Sequence, residues 1–189
     1  MPKRVKLNRI VSCLSKEFVN PDMVPFVLPN ILLIAEESTD EEFQKWIFPE
    51  LINIFKMQEP IQIGIILMQK MEFLVSKCKS NPDALKEHIL PLIYRSLESD
   101  AKQIQELCLN VIPCLAHLIE YSSMKNSLLP RLKKLILHTN LLSVRVNCLV
   151  CIGKILDHLD KWLVLDDVFP ALTEVPSREP AVIMAIVGI

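Results

Sequence analysis

Ile47-Phe48-Pro49-Glu50-Leu51 returns three times along the chain, as Ile89-Leu90-Pro91-Leu92-Ile93, Leu128-Leu129-Pro130-Arg131-Leu132 and Val168-Phe169-Pro170-Ala171-Leu172. The prolines stand 42, 39 and 40 residues apart. A second register runs in phase with the first. About 14 residues after each proline an apolar pattern at helical spacing begins, anchored at Ile63, Ile104, Val144 and Ile183, which are 41, 40 and 39 apart. In the clearest copy Val144, Cys148, Cys151, Ile152, Ile155 and Leu159 share one helix face, with Lys154, Asp157 and Lys161 opposite. Each period is therefore two helices joined by a short polar turn. The turns are Gln58-Glu59-Pro60, Glu98-Ser99-Asp100, His138-Thr139-Asn140 and Ser177-Arg178-Glu179-Pro180. Their side chains are expected to accept from the free N–H groups of the next helix. Pro60 and Pro180 suit a first helical turn, where no N–H is needed.

Working outward, first helices are expected near 3–18, 40–57, 83–98, 123–138 and 161–175. Second helices are expected near 22–37, 61–78, 101–121, 141–159 and from 180 onward. The repeats run roughly 1–38, 39–79, 80–121, 122–160 and 161–189, the last partial, and form a single array over 1–189. A proline inside a helix removes one hydrogen bond and costs about 3 kcal/mol. Recurring at one point of each first helix, it reads as a regular kink that sets the stacking. Ser12 stands where the first repeat should have its proline, so that helix should be straighter. A period near 40, helix pairs and a proline-bearing first helix are the pattern of HEAT repeats. The fold class is all-α, a HEAT-type α-α superhelix (solenoid) of about four and a half pairs. Pro49, Pro91, Pro130, Pro170, Val144, Arg145 and Gly153 are its structural repeat positions. Cys148, Cys151 and Gly153 are small and let neighbouring helices approach. Arg145 is expected to pair with the acidic or Asn turn nearby.

Composition agrees with this reading. Three glycines (Gly64, Gly153, Gly188) against 13 prolines exclude a glycine-rich phosphate loop or a string of tight hairpins. Mean hydropathy of +0.33 is too apolar for disorder. The longest uncharged runs, Met23 to Ala35 and Leu107 to Ile119, are 13 residues each, short of the roughly 20 that span a bilayer. With 21 basic and 22 acidic residues, the net charge of −1 gives no basic excess for nucleic acid. Met1 to Asn20 is too charged for a signal peptide, and the six cysteines sit in apolar runs, as expected of packed thiols in a cytoplasmic protein. The sequence closes inside an apolar second helix, Pro180 to Ile189, with no polar cap. It is expected to be a segment truncated at the C-terminal end, exposing an apolar surface that self-associates.

Several constellations bear on chemistry. Cys148-x-x-Cys151 lacks the second ligand pair of a structural zinc site and reads as core packing. Cys114-x-x-His117 aligns with Lys154 and Asp157 one repeat on, positions read as exposed, which argues against a catalytic dyad. The acidic stretch Glu36-Glu37 to Asp40-Glu41-Glu42 is either a helix cap or a docking site. Lys125, Arg131, Lys133 and Lys134, with no acid among them, form a candidate interaction surface for an anionic membrane headgroup or an acidic peptide. A solvated helix face is the plainer reading. Leu163-Val164-Leu165-Asp166-Asp167 resembles a clathrin-box peptide placed at a helix. No His-Arg-Asp, Asp-Phe-Gly or glycine loop occurs, and no catalytic, cofactor or metal residue is assigned.

Phe18-Val-Asn-Pro-Asp-Met-Val-Pro-Phe-Val-Leu-Pro-Asn30, Gln103-Ile-Gln-Glu-Leu-Cys-Leu-Asn110, Val144-Arg-Val-Asn147, Leu159-Asp-Lys-Trp162 and Ser177-Arg-Glu-Pro-Ala-Val182 are more specific than the generic repeat. Together they resemble the HEAT region of the Scy-like pseudokinases. The resemblance implies a longer protein with an N-terminal kinase-like domain of weak or absent catalysis, a central HEAT array and a C-terminal tail, working in vesicle traffic. It implies clathrin and the adaptor complex as partners, and a peripheral cytoplasmic location on clathrin-coated vesicles, Golgi and endosomes. No ATP-site or clathrin-tail residue carries over to this sequence. The function expected is a non-catalytic protein-protein interaction scaffold. Two alternatives stand beside it, a generic HEAT scaffold and a transfer-RNA transport adaptor like a related branch of the family. The adaptor would need a basic stripe with aromatic platforms, and Trp46, Trp162, Tyr94 and Tyr121 are all the sequence offers.

Overall fold

A computed structural model describes residues 2–176 and 178–189, with side chains from residue 7 onward. Ser177, read as part of a turn, lies outside the described residues. Among the described residues ten helices, with 61–77 taken as one across a turn at Lys70, alternate as first and second members of a pair. The first members are α1 (Pro2–Ser15), α3 (40–55), α5 (82–97), α7 (121–138) and α9 (161–174). The second members are α2 (Val24–Glu36), α4 (61–77), α6 (Lys102–Leu115), α8 (Leu142–Ile155) and α10 (Pro180–Val187). Strands are absent from the described residues. The class is all-α, as the repeat predicts.

The motif proline acts through the backbone. Each of α3, α5, α7 and α9 contains one π turn, at Phe43–Ile47, Leu85–Ile89, Met124–Leu128 and Val164–Val168, ending two residues before the proline. The N–H of the residue before the proline donates to the carbonyl five back: Phe48 to Phe43, Leu90 to Leu85, Leu129 to Met124, Phe169 to Val164. A proline ring collides with the carbonyl four residues back, and a widened turn relieves that collision. The four prolines themselves are exposed. The extra residue of the π turn rotates the following helix by about 100° relative to the preceding one. Neighbours in sequence at these junctions are both buried, namely Ile47 and Phe48, Ile89 and Leu90, and Leu128 and Leu129, as are Cys108 and Leu109 or Cys148 and Leu149 in second helices without a π turn. α1, which lacks the proline, is α-helical from Pro2 to Ser15 without a π turn. Pro29 and Pro113, inside α2 and α6, are accommodated without one.

The helices group into two compact units, residues 1–92 and 93–189. In the first, α2 packs on α1 and α4, and α3 packs on α1, α4 and the π turn of α5. Phe48 is central there, with ring centroids 5.9 Å from Phe43, 5.9 Å from Phe55 and 5.7 Å from His88. Polar ties run within the second repeat and from it to both neighbours. Lys77 Nζ donates to the Ser38 carbonyl at 2.6 Å and lies 3.3 Å from Asp40. Gln44 donates to the Lys77 carbonyl at 3.0 Å, and Asn81 donates to Gln44 at 3.1 Å. In the second unit α8 packs between α6 and α10, and α7 packs on α8 and α9. The Cys108 and Cys148 thiols, one repeat apart, donate to the carbonyls of Ile93 and Leu132, each two residues after a motif proline.

Four expectations need correction. The anchor of α10 is Val182, fully buried, whereas Ile183 is 45% exposed. The spacing from Val144 shortens by one because α10 starts directly at Pro180. Side-chain caps do not form at the start of α4, α6, α8 or α10. Ser99 and Thr139 instead accept within their own turns, from Ala101 and Leu141. The helix caps sit between repeats: Thr39 forms a capping box with Glu42, and Asn81 and Asp160 cap α5 and α9. Arg145 pairs with carbonyls rather than with an acidic or Asn side chain. Its Nε donates to Ile136 at 2.9 Å and Nη2 to Thr139 at 2.6 Å, satisfying the end of α7. Gln105, one repeat earlier, donates to Leu97 at the matching place. Gly153 is half-buried, and a Cβ there would lie 3.4 Å from the Ile189 side chain, so it does not hold two backbones together.

Cysteine packing is split. Cys78, Cys108, Cys148 and Cys151 are buried, whereas Cys13 and Cys114 are exposed. Burial pushes the Cys78 thiol up to about 11 and Cys151 up to about 12, with Cys108 and Cys148 also well above the ordinary thiol range. An aromatic disulfide reagent should therefore react promptly with two thiols in the native chain and with the other four only on unfolding. The buried thiols keep their protons where unfolded ones ionise, near pH 8.5. Their contribution to stability is full below that pH and is lost as pH rises toward 11–12. A urea midpoint that falls as pH is raised above about 9 is the expected result. Arg145→Ala should lower stability by about 1.5–3 kcal/mol in urea melts, and Arg145→Gln by less, since glutamine serves at position 105.

Candidate functional site

α7 carries all four residues of the basic candidate surface, and the structure separates them. Lys133 faces the next first helix and pairs with Asp167 at 3.1 Å. Arg131 faces the preceding one. Its guanidinium lies over the Tyr94 ring at 4.7 Å, and Nη1 donates to the Ser127 carbonyl at 2.8 Å. Arg131 Nε is 3.4 Å from Glu98 Oε1, yet this buried atom meets no acceptor in hydrogen-bond geometry. Lys125 and Lys134 are exposed and have no ion-pair partner among the described residues. Half of the expected basic patch is thus tied into the stacking of first helices, and the four do not form one surface.

The free part of the charge lies beside a cleft. Residues 131, 134 and 138 follow the i, i+3, i+7 spacing of one helix face. They border a cleft of about 260 Å³, together with Leu97, Glu98, Gln105, Leu135 and Thr139. The Tyr94 hydroxyl is buried next to this wall, and burial raises its pKa against the opposing effects of Arg131 and Ser127. Sequence reading missed His138 and Glu98 as members of this group. The signal was available in the repeat order, since Glu98 directly follows the first helix of the repeat before that of Arg131.

The other constellations find structural roles. The acidic stretch resolves into the Thr39–Glu42 capping box, the Asp40–Lys77 pair and a Lys70–Glu36 pair at 2.7 Å. Cys148 and Cys151 face the core. Cys114 and His117 are exposed at the end of α6, where His117 lies 6.2 Å from the His158 ring. Among the described residues no three His, Cys, Asp or Glu side chains are grouped to hold a metal ion. Leu163 to Asp167 is helical, with Leu163 buried and Asp167 paired to Lys133, so it is not an extended peptide. No helix among the described residues is long and apolar enough to cross a membrane.

No protein-family model matches the chain. Individual proteins do. SCY1-like protein 2 of Homo sapiens and that of Mus musculus are each 61% identical to it over 189 residues, 100% of this chain. The chain is similar, end to end, to a segment of the SCY1-like proteins. It spans only 20% of the length of those two relatives. Protein kinase domain-containing protein ppk32 of Schizosaccharomyces pombe is 27% identical over 192 residues, covering 100% of this chain and 25% of that protein. The resemblance carried by Phe18 to Asn30 and the other strings thus extends to the whole chain.

The different settings of Arg131 and Lys133 separate their substitutions. Arg131→Ala removes a stacked, hydrogen-bonded cation and should cost about 1.5–3 kcal/mol. Lys133→Ala breaks a half-exposed pair and should cost less than about 1 kcal/mol. Equal costs in chemical denaturation would contradict this assignment.

Proposed function

We propose that this chain is a non-catalytic scaffold segment of a kinase-like protein, presenting a docking surface to coat and adaptor proteins in clathrin-dependent vesicle traffic. The observation that carries the reading is the 61% identity with SCY1-like protein 2 along the full chain. The traffic setting follows from the Scy-like resemblance. The physical support is that, within each unit, neighbouring first helices are tied by Gln44–Asn81, Arg131–Glu98 and Lys133–Asp167, while Lys77–Asp40 ties α4 to the start of α3. Such ties hold surface side chains in fixed relation, and a pre-organised surface loses less entropy on docking. Clathrin and the plasma-membrane adaptor complex are the proposed partners, met on the cytoplasmic face of Golgi, endosomal and coated-vesicle membranes.

The test offers the immobilised full chain purified clathrin and purified adaptor complex separately. Capture of at least one at micromolar concentration is expected. Capture of neither makes the segment a spacer. A gel shift with transfer RNA accompanies it: no retardation is expected, and tight binding that weakens steeply with salt would favour the nucleic-acid adaptor.

A further inference from the structure

The cleft beside α7 combines a rigid cation, an unmet donor and an internal carboxylate that only partly serves it. Arg131 is fixed from two sides, by the face of Tyr94 and by the Ser127 carbonyl. A guanidinium held this way presents its remaining edge as a planar fork suited to a carboxylate. Nε lies on that edge, buried and without a hydrogen bond. Its neighbour Glu98 sits at 3.4 Å, beyond the usual charge-assisted distance, with a side chain 49% exposed to solvent. Lys134 and His138 continue the same helix face along the cleft, and Gln105 and Thr139 complete its polar lining. Glu98 is the one acidic residue in the lining.

We infer that this cleft receives an acidic segment of a partner protein, one carboxylate of which takes the Arg131 fork while Glu98, its internal stand-in, swings out to solvent. The inference rests on the reading of the chain as a docking scaffold and gives its partner a chemistry. Lys134, a turn further along, adds attraction and orients the acidic segment along α7. Complementary charge of this kind sets specificity and association rate. The 260 Å³ of space fits one or two side chains, so the remainder of the partner would lie across the outer face of α7.

The experiment uses the full 189-residue chain and a fluorescein-labelled peptide carrying four consecutive glutamates, read by fluorescence anisotropy at low and at physiological ionic strength. The same peptide with four glutamines is the control. The glutamate peptide should bind and the glutamine peptide should not. Arg131→Gln should weaken binding about tenfold or more and Lys134→Gln about threefold, while Lys125→Gln leaves it unchanged. Glu98→Gln should strengthen binding severalfold, because the internal competitor is gone. Glu98 and Lys134 are solvent-accessible, so their variants keep the test decisive if Arg131→Gln unfolds. Equal binding of the glutamine peptide, a neutral or weakening Glu98→Gln, or a Lys125→Gln loss matching that of Lys134→Gln would each overturn the inference. So would phosphatidylserine vesicles that bind through Arg131 and displace the peptide, which would make the site a membrane contact. Capture of clathrin or adaptor complex alongside failed peptide binding would sink this inference alone and leave the scaffold reading standing.

Discussion

Each motif proline removes one donor from a first helix and presses on the carbonyl four residues behind it. The chain answers with a π turn immediately upstream, four times, at the same offset. That response fixes more than local geometry. A helix of uniform 3.6-residue pitch offers one narrow apolar stripe, and a first helix has to face both its own second helix and the neighbouring repeats. The inserted residue turns the segment that follows it by about 100°, starting at the residue just before the proline. Phe48, Leu90 and Leu129 occupy this position and are buried. Phe169, in the last copy, is 47% exposed on the second unit. The prolines need no burial of their own, because what they contribute is a constraint on hydrogen bonding.

Once the first helices are turned this way, their flanks meet one repeat apart, and the polar side chains there become ties. Lys133 and Asp167 are 34 residues apart in sequence, and Asn81 and Gln44 are 37. Most of these pairs are half-exposed and individually contribute little. Their effect is on placement: Arg131 is held between Tyr94, Ser127 and Glu98, and Lys134 and His138 then fall along one side of a cleft. The second helices use a different device. Arg145 and Gln105 reach back to the last carbonyls of the preceding first helix, and the small thiols of Cys108 and Cys148 let the two layers come close while donating to a carbonyl.

The pairing of helices was legible because it rests on spacing, which composition cannot disguise. The buried faces of α4, α6 and α8 follow Ile63, Ile104 and Val144 as the period requires. The π turns were not legible. Hydropathy registers which residues are apolar and not which carbonyl each amide meets, and adjacent apolar residues such as Ile47-Phe48 and Leu128-Leu129 also fit the wide stripe of an ordinary amphipathic helix. Ile183 was misplaced by one residue because α10 begins tightly at Pro180, and in a run as apolar as Ala181 to Val187 the pattern does not distinguish neighbours. The basic surface was misjudged for a different reason. Local charge on α7 counts four cations, but the partners of two of them lie in the neighbouring repeats, so the surface charge follows from the repeat and not from the helix alone.

The most direct test is a through-hydrogen-bond N–C′ coupling experiment on the uniformly labelled chain, reading the acceptor of the amide that precedes each motif proline. The account predicts that Phe48, Leu90, Leu129 and Phe169 couple to the carbonyl carbons of Phe43, Leu85, Met124 and Val164, five residues back. Coupling to Gln44, Lys86, Lys125 and Leu165, four residues back, would mean ordinary kinked α-helices and would contradict it.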